Sequence, residues 1–195
     1  MTMKIENRVY RMAVDFDSVL AETMGLWITE LNRRRGTNFQ KDDVVSFDLI
    51  QCFGIAEYER SELFDYIWDD DNWKKIPPTE DFLSEKIQAL RKHGKVDILT
   101  AIPENQVENT KKWLARNEIS YDDYIIVPNG LKKSDYEYDI FIDDSPSNAE
   151  QIANCGKTVF LYDQPWNQKM NSSEKIRRIY SISEVIDYLD RIRTT

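Results

Sequence analysis

The stretch "MAVDFDSVL" at residues 12–20 places two aspartates, Asp15 and Asp17, inside an otherwise apolar run. Apolar runs with β-branched and aromatic members are typical of buried β-strands. A carboxylate at the end of such a strand is unfavourable unless it is hydrogen-bonded, paired with a cation or bound to a metal. The stretch therefore predicts a buried strand that ends in an acidic pair, and it requires that residues elsewhere in the chain compensate the two charges.

The rest of the chain alternates between the patterns of helices and strands. Further strands are predicted at 95–101, 124–128, 138–144 and 158–163. Helices are predicted at 18–36, 79–94, 103–117, 146–156 and 181–192, with Thr79 as the N-cap and Gly94 as the stop of the second. This alternation favours an α/β fold with a parallel sheet.

Residues 20–78 depart from that alternation, because nearly sixty residues separate the first strand from the next unit of the sheet. An ordinary crossover needs far fewer. We therefore predict a small helical cap at 20–78, inserted into a core formed by 1–19 and 79–195. Most aromatic residues of the cap are expected to form its own core. Phe47 and Trp73 are the candidates for contact with substrate.

Composition excludes several classes of function. The net charge of −9 argues against nucleic acid polymers and anionic membrane surfaces as partners. Cys52 and Cys155 lie far apart and outside any Cys/His cluster, which argues against zinc and a disulfide framework. Without a signal peptide or a membrane-span pattern, a cytoplasmic location is expected. The sequence leaves the oligomeric state open, a homodimer included.

Polar residues end three of the predicted strands. The first ends in Asp15 and Asp17, the second in Thr100, and the strand at 138–144 in Asp143 and Asp144. Ligands of open parallel sheets bind beyond the carboxyl ends of the strands, so we expect these side chains to meet there. Converging carboxylates repel one another unless a cation separates them, and Mg²⁺ is the cation that such oxygen ligands favour.

This arrangement suits phosphoryl transfer. Asp15 can attack phosphorus while Asp17 protonates the leaving oxygen and later activates water. Thr100 and nearby backbone N–H groups can hold phosphate oxygens, and Lys133 can offset developing charge.

The segments "AVDFDSVLAET", "DILTAIPEN" and "IFIDDSPSN", together with Lys133, resemble in order and spacing the four motifs of the haloacid dehalogenase (HAD) superfamily of phosphohydrolases. The insertion resembles the superfamily's C1 cap. "ELNRRRGTNF" and "YDQPWN" resemble the 5'(3')-deoxyribonucleotidases and related bacterial 5'-nucleotidases. The resemblance covers most of the chain, and it implies a Rossmann-like, three-layer HAD core.

The resemblance also assigns roles to individual residues. It implies Asp15 as the nucleophile that becomes an aspartyl-phosphate, and Asp17 as the general acid and base. Mg²⁺ would be held by the Asp15 carboxylate, the Asp17 backbone carbonyl and Asp144, with Asp143 beside them. Lys133 is preferred to Lys132 because it lies ten residues before Asp143, as the lysine of the resembled family does.

Two positions depart from the family pattern. Ser18 stands where this branch often has glycine, and Ala101 stands where many members have serine or glycine. The backbone N–H of Ala101 is retained for binding phosphate.

Three functions compete on the sequence alone. The first is a Mg²⁺-dependent phosphomonoesterase that acts on a nucleoside monophosphate, and the second is the same chemistry on a sugar phosphate or another small metabolite. The third is a receiver-like signalling switch, which the order of the motifs disfavours. In receivers the acidic pair comes early, whereas here Asp143 and Asp144 come late and a cap-sized insertion follows the first strand.

Overall fold

The computed structural model describes residues 9–69 and 71–194. Within them, six strands form one sheet in the order β3-β2-β1-β4-β5-β6, and every neighbouring pair is parallel. The strands are β1 (Tyr10–Val14), β2 (Gly94–Thr100), β3 (Tyr124–Ile126), β4 (Ile140–Asp143), β5 (Thr158–Tyr162) and β6 (Ile176–Ile179). The α/β fold predicted from the alternating pattern is confirmed, and β1 lies between β2 and β4.

The same residues form seven α-helices, which cover both faces of the sheet. They are α1 (Thr23–Arg35), α2 (Leu49–Phe53), α3 (Glu57–Ile67), α4 (Leu83–Leu90), α5 (Val107–Arg116), α6 (Pro146–Asn154) and α7 (Ile182–Thr194). Side chains on β1 alternate between faces, so Met12 and Val14 pack in one hydrophobic cluster and Ala13 in another. Helices α4, α5 and α7 contribute to the first cluster and α6 to the second. The protein therefore has three layers.

Helices α1, α2 and α3 lie in the long segment between β1 and α4. Trp27 of α1 is fully buried there, with its ring centroid 5.7 Å from that of Phe53 and 6.1 Å from that of Phe64. The two ends of the segment lie side by side, because Glu22 N donates to Pro77 O (2.9 Å) and Thr79 N donates to Leu20 O (2.9 Å). The domain boundaries at 20 and 78 stay a prediction.

Several predicted element boundaries differ from the structure. Thr79 is not an N-cap, because its hydroxyl donates to Val19 O (2.7 Å) and α4 begins only at Leu83. Gly94 does end the helical segment, because it caps the 3-10 turn Arg91–His93 that continues α4, and its N–H donates to Arg91 O. The same residue also opens β2, where a Cβ would lie 1.9 Å from Tyr10 O. Strand β6 is an addition to the predicted strands. Among the described residues, no helix has the length and apolar character needed to cross a bilayer.

Candidate active site

The carboxyl ends of β1, β2 and β4 place the acids predicted from the sequence at one edge of the sheet. Asp15 directly follows β1, and its backbone N–H donates to Ile142 O of β4 (2.9 Å). Thr100 ends β2 and Asp143 ends β4. Oxygen atoms of Asp15, Asp143 and Asp144 all lie within 4.8 Å of one another. The structure thus brings together acids that lie far apart in the sequence.

Lys133 bridges two of these acids. Its ammonium nitrogen lies 2.7 Å from Asp15 Oδ1 and 2.7 Å from Asp143 Oδ2. The side chain is buried, whereas Lys132 is exposed. Burial alone would lower the pKa of the Lys133 ammonium, but attraction by Asp143 and Asp15 outweighs burial and raises it above its usual value. Lys133 therefore stays charged between the two carboxylates.

The backbone around Lys133 is fixed by another lysine. Lys157 Nζ donates to Ser134 O (2.9 Å) and to Tyr136 O (2.7 Å). These two carbonyls belong to the turn that begins at Lys133. The position of the bridging ammonium is thereby tied to the start of β5.

The Asp143 carboxylate is engaged on both oxygens. Oδ2 accepts from Lys133, Oδ1 accepts from the backbone N–H of Ser145 (2.9 Å), and Asn148 Nδ2 lies 3.2 Å from each oxygen. Ser145 is the N-cap of α6, and its hydroxyl accepts from Asn148 N. The start of α6 is therefore built around this carboxylate.

Asp144 is buried beside the cavity and is held by an indole. Its Oδ2 accepts a hydrogen bond from Trp166 Nε1 (2.9 Å), and the residue lines the adjoining cavity. Burial raises the pKa of Asp144 well above the usual value, and repulsion from Asp15 and Asp143 adds to that effect.

Asp15 and Asp17 are held differently, although both line the cavity. Asp15 Oδ1 accepts from Phe16 N–H (2.7 Å) as well as from Lys133. Burial raises the pKa of Asp15 to about 6, with Lys133 opposing the shift. Burial also raises the pKa of Asp17 to about 7, with the charge of Asp15 adding to it. Asp17 Oδ1 is buried and has no hydrogen-bond partner among the described residues.

The cavity above these acids has a volume of about 480 Å³. Its floor comes from the sheet edge and includes Asp15, Asp17, Asp144 and Lys133. Its roof comes from the inserted segment and includes Phe47, Leu49, Arg60 and Phe64. Such a volume lies within the usual range for sites that enclose a small molecule.

Thr100 and Ala101 lie on the wall of the same cavity. Thr100 is buried, and its hydroxyl accepts from the backbone N–H of Ile102 (3.3 Å). Ala101 is exposed. Both residues therefore adjoin the acids, as expected from their place at the end of β2.

Trp73 is the predicted contact residue that the structure does not bring to the cavity. It is buried in the main hydrophobic cluster and is not among the described residues that line the cavity. Phe47 does line the cavity and is 54% exposed. Trp73 packs in the hydrophobic core and is not free to contact a ligand, whereas the ring of Phe47 lies at an open surface.

Two features of the site go beyond what the sequence predicts. "PWN" at 165–167 has the local pattern of a turn, yet Trp166 contacts Asp144, which lies 22 positions earlier. No local pattern indicates such a contact. Ser18 has φ of 60°, in the left-handed region, which explains why glycine is frequent at this position in the resembled family.

Comparisons with known proteins identify the family of this chain. The family model for "5' nucleotidase, deoxy (Pyrimidine), cytosolic type C protein" matches residues 8–194. The chain belongs to this family. A nucleotidase of Clostridium acetobutylicum is 23% identical over 188 residues, which cover 93% of this chain and 94% of the relative.

Solved structures of HAD hydrolases share the fold of this 5'-nucleotidase family member. A haloacid dehalogenase-like hydrolase from Streptococcus pneumoniae superposes with a TM-score of 0.63 at 14% identity, covering 92% of this chain and 98% of that one. A HAD hydrolase from Deinococcus radiodurans, solved with bound phosphate and sodium, gives 0.67 at 14% identity, covering 95% and 97%. The chain is a HAD phosphohydrolase near the 5'-nucleotidases, and it acts on a small phosphorylated substrate.

Proposed function

We propose that the protein is a Mg²⁺-dependent phosphomonoesterase that hydrolyses nucleoside monophosphates, ribo- or deoxyribo-, through an aspartyl-phosphate. The observation that carries the proposal is the buried Lys133 ammonium between Asp15 and Asp143, at the floor of a cavity with an aromatic and apolar roof. A phosphate that enters this floor meets a fixed cation and a carboxylate oriented by two donors. These groups suit nucleophilic attack on phosphorus.

The first half of the reaction forms the phosphoenzyme. Hydrogen bonds to Oδ1 fix the Asp15 carboxylate, and its Oδ2 attacks phosphorus. The bond between phosphorus and the leaving oxygen breaks, and Asp17 donates a proton to that oxygen. The buried Oδ1 of Asp17 lacks a partner among the described residues, and the raised pKa of this carboxyl group favours its protonated form.

The second half restores the enzyme. Asp17, now deprotonated, accepts a proton from water while the water oxygen attacks phosphorus. The bond between Asp15 Oδ2 and phosphorus breaks, and inorganic phosphate is released. Lys133, Thr100 and the backbone N–H of Ala101 are assigned to hold phosphate oxygens during both halves.

The donor set fits Mg²⁺. Asp15 and Asp144 offer carboxylate oxygens, and the Asp17 backbone carbonyl completes the proposed protein ligands. Asp143 is also a candidate ligand from the sequence, but unlike Asp15 and Asp144 it is not among the described residues that line the cavity. Its oxygens contact Lys133, Ser145 N and Asn148. We therefore assign it the role of holding Lys133. When bound, the cation supplies neutralisation of the charge that develops on phosphate.

The roof supports a nucleotide as the substrate. Phe47 and Phe64 offer flat apolar surfaces on the cap side of the cavity, and nucleobases stack well on such rings. Ser61, Asp65 and Gln106 line the same cavity and could instead bind sugar hydroxyls, which keeps a sugar phosphate as the second candidate. The cytoplasmic location and the option of a homodimer stay predictions from the sequence.

A panel of phosphomonoesters assayed with Mg²⁺ tests the proposal. We expect a higher kcat/KM for nucleoside monophosphates, with pyrimidine deoxynucleotides foremost, than for glucose 6-phosphate. EDTA should stop turnover and added Mg²⁺ should restore it, with Ca²⁺ a poor substitute because it prefers more ligands and longer bonds. Preference for sugar phosphates would overturn the nucleotide assignment, and full activity after chelation would overturn the metal assignment.

A further inference from the structure

The contact between Trp166 and Asp144 joins two buried side chains from different parts of the sheet edge. Trp166 Nε1 donates to Asp144 Oδ2 at 2.9 Å, and the two residues are 6% and 4% exposed. A hydrogen bond to a carboxylate is stronger than one between neutral groups. The indole therefore restrains the orientation of this carboxylate at the edge of the cavity.

The loop that carries Trp166 is fixed by its neighbour Asn167. Asn167 Nδ2 donates to the backbone carbonyl of Asp144 (3.0 Å) and to Tyr162 O (2.8 Å). Consecutive residues of the loop therefore hold both the side chain and the backbone of Asp144. The loop is thereby tied to the ends of β4 and β5.

Strand β6 anchors the same loop from the other side. Arg178 donates to Asn167 Oδ1 (2.6 Å), Asn167 O (2.9 Å) and Met170 O (2.8 Å), and it pairs with Asp163 (2.6 Å). Such a dense set of bonds leaves the indole little freedom to follow a moving carboxylate. Trp166 is thus a rigid support for Asp144.

The environment of Asp144 shows why it needs such a support. Its oxygen lies within 4.8 Å of oxygens of Asp15 and Asp143, and carboxylates at such a separation repel one another when they are charged. The indole holds Oδ2, while Asp144 still offers an oxygen within 4.8 Å of the other two acids.

We propose that Trp166 is a positioning residue that orients Asp144 for the divalent cation before the cation arrives. The inference rests on the proposed metal-dependent function. Groups that hydrogen-bond to metal ligands typically change metal affinity about 10–100-fold when they are removed. Trp166 touches no reacting atom in this assignment and acts through Asp144 alone.

Trp166→Phe tests the proposal, because it removes the N–H donor and keeps an aromatic ring. We expect the Kd for Mg²⁺ alone, measured by isothermal titration calorimetry without substrate, to rise about 10–100-fold. Trp113→Phe is the matched control: its buried indole donates to a backbone carbonyl, Ile76 O, at 2.8 Å. That variant should lose thermal stability and keep its Kd for Mg²⁺ within about twofold of wild type, since its lost bond lies elsewhere.

An unchanged Kd in folded Trp166→Phe, with wild type binding Mg²⁺, would overturn this inference and leave the proposed function standing. Absence of Mg²⁺ binding by wild type would overturn both. A measurement on the unmodified protein guards against misfolding of the variant. In ¹H–¹⁵N spectra, titration with Mg²⁺ should shift the indole signal of Trp166 more than that of Trp113, and equal or absent shifts would contradict the proposal.

Discussion

The floor and the roof of the cavity are built in opposite ways. On the floor, Lys133 is buried and bonded to the buried Asp143, which accepts three further contacts from the start of α6. On the roof, Phe47 is 54% exposed, and the Arg60 side chain is 40% exposed and pairs with Glu57 at the surface. The floor is therefore fixed before any ligand binds, whereas the roof has side chains that can adjust.

We expect the floor to carry out the reaction and the roof to select the substrate. A pre-oriented charge array is effective because it needs no rearrangement when the reaction occurs. Selectivity among leaving groups instead depends on surfaces that meet different molecules, and such surfaces lie on insertions and loops supported by a rigid scaffold. Changes to the floor should therefore affect turnover of every substrate, and changes to the roof should affect the ratio between substrates.

The largest effect should come from Asp15→Asn. The amide keeps an oxygen that can accept from Lys133 and Phe16 N–H, so the fold should be retained while the nucleophile is lost. We expect kcat to fall by more than about 10³-fold for every substrate, with an unchanged circular dichroism spectrum. Wild-type turnover by a correctly folded variant would refute covalent catalysis by Asp15.

Asp17→Asn changes a residue of the floor, and its effect on kcat/KM should depend on the leaving group. For a nucleoside monophosphate, kcat/KM should fall about 10²–10⁴-fold, as is usual for loss of a general acid. The loss for p-nitrophenyl phosphate should be at least about tenfold smaller, since p-nitrophenolate leaves without a proton. Equal losses on both substrates would remove Asp17 from leaving-group protonation.

Phe47→Ala should change the ratio between substrates rather than overall turnover. We expect kcat/KM for a nucleoside monophosphate relative to glucose 6-phosphate to fall about tenfold, in line with the loss of one stacked base. Trp73→Phe is the control from the same inserted segment, because Trp73 is buried in the core. An unchanged ratio in Phe47→Ala would mean that the roof does not select the base.

The smallest effect should be a pH-dependent change in stability at Glu30, remote from the floor. Hydrogen bonds from Arg33 and Arg34 lower the pKa of this buried carboxylate to about 2. Since the folded-state pKa lies below the usual 4.5, the stabilisation is present above pH 4.5 and is lost as pH falls toward 2. Glu30→Gln should lower the free energy of unfolding at pH 7 by ~1 kcal/mol, because the arginines remain partly solvated.

Urea unfolding of wild type and Glu30→Gln at pH 7 and pH 3 checks this expectation. The difference in the free energy of unfolding between the two proteins should be smaller at pH 3 than at pH 7. Glu108→Gln provides the matched control, since Glu108 pairs with Lys112 on an exposed helix surface, where ion pairs contribute little. A gap that is independent of pH would show that the charge of Glu30 does not stabilise the fold.

The residues of the floor are easier to predict from the sequence than those of the roof. The acids of the floor lie at the ends of apolar strands, so their approximate positions follow from the parallel sheet. Lys133 is predicted from the resemblance to the HAD motifs, in which the lysine stands at this distance from the acidic pair. In the inserted segment, an aromatic residue can either pack in the core or line the binding surface, and the sequence alone does not distinguish these two roles. Phe47 and Trp73 illustrate the ambiguity, since one lines the cavity and the other packs inside.

Two differences between the predicted and observed elements have identifiable physical causes. Strand β6 has the sequence "IRRI", and its two adjacent arginines break the apolar pattern by which a strand is recognised. The strand lies at the edge of the sheet, where Arg177 is exposed and Arg178 donates to the neighbouring loop. The predicted start of α4 lies too early because Thr79 is a good N-cap residue, but tertiary contact with Val19 O takes its hydroxyl. In both cases a contact outside the element itself overrides the local pattern.

The touching ends of the inserted segment make it exchangeable between related scaffolds. Because Glu22 N reaches Pro77 O and Thr79 N reaches Leu20 O, a replacement of different length can start and finish at the same points without moving β1. The entropic cost of closing a longer loop grows slowly with its length. Simple excision would expose Phe16, whose ring centroid lies 5.3 Å from that of Trp68. A replacement segment that supplies a new apolar cover for Phe16 would therefore give the same sheet and its acidic residues a different substrate range.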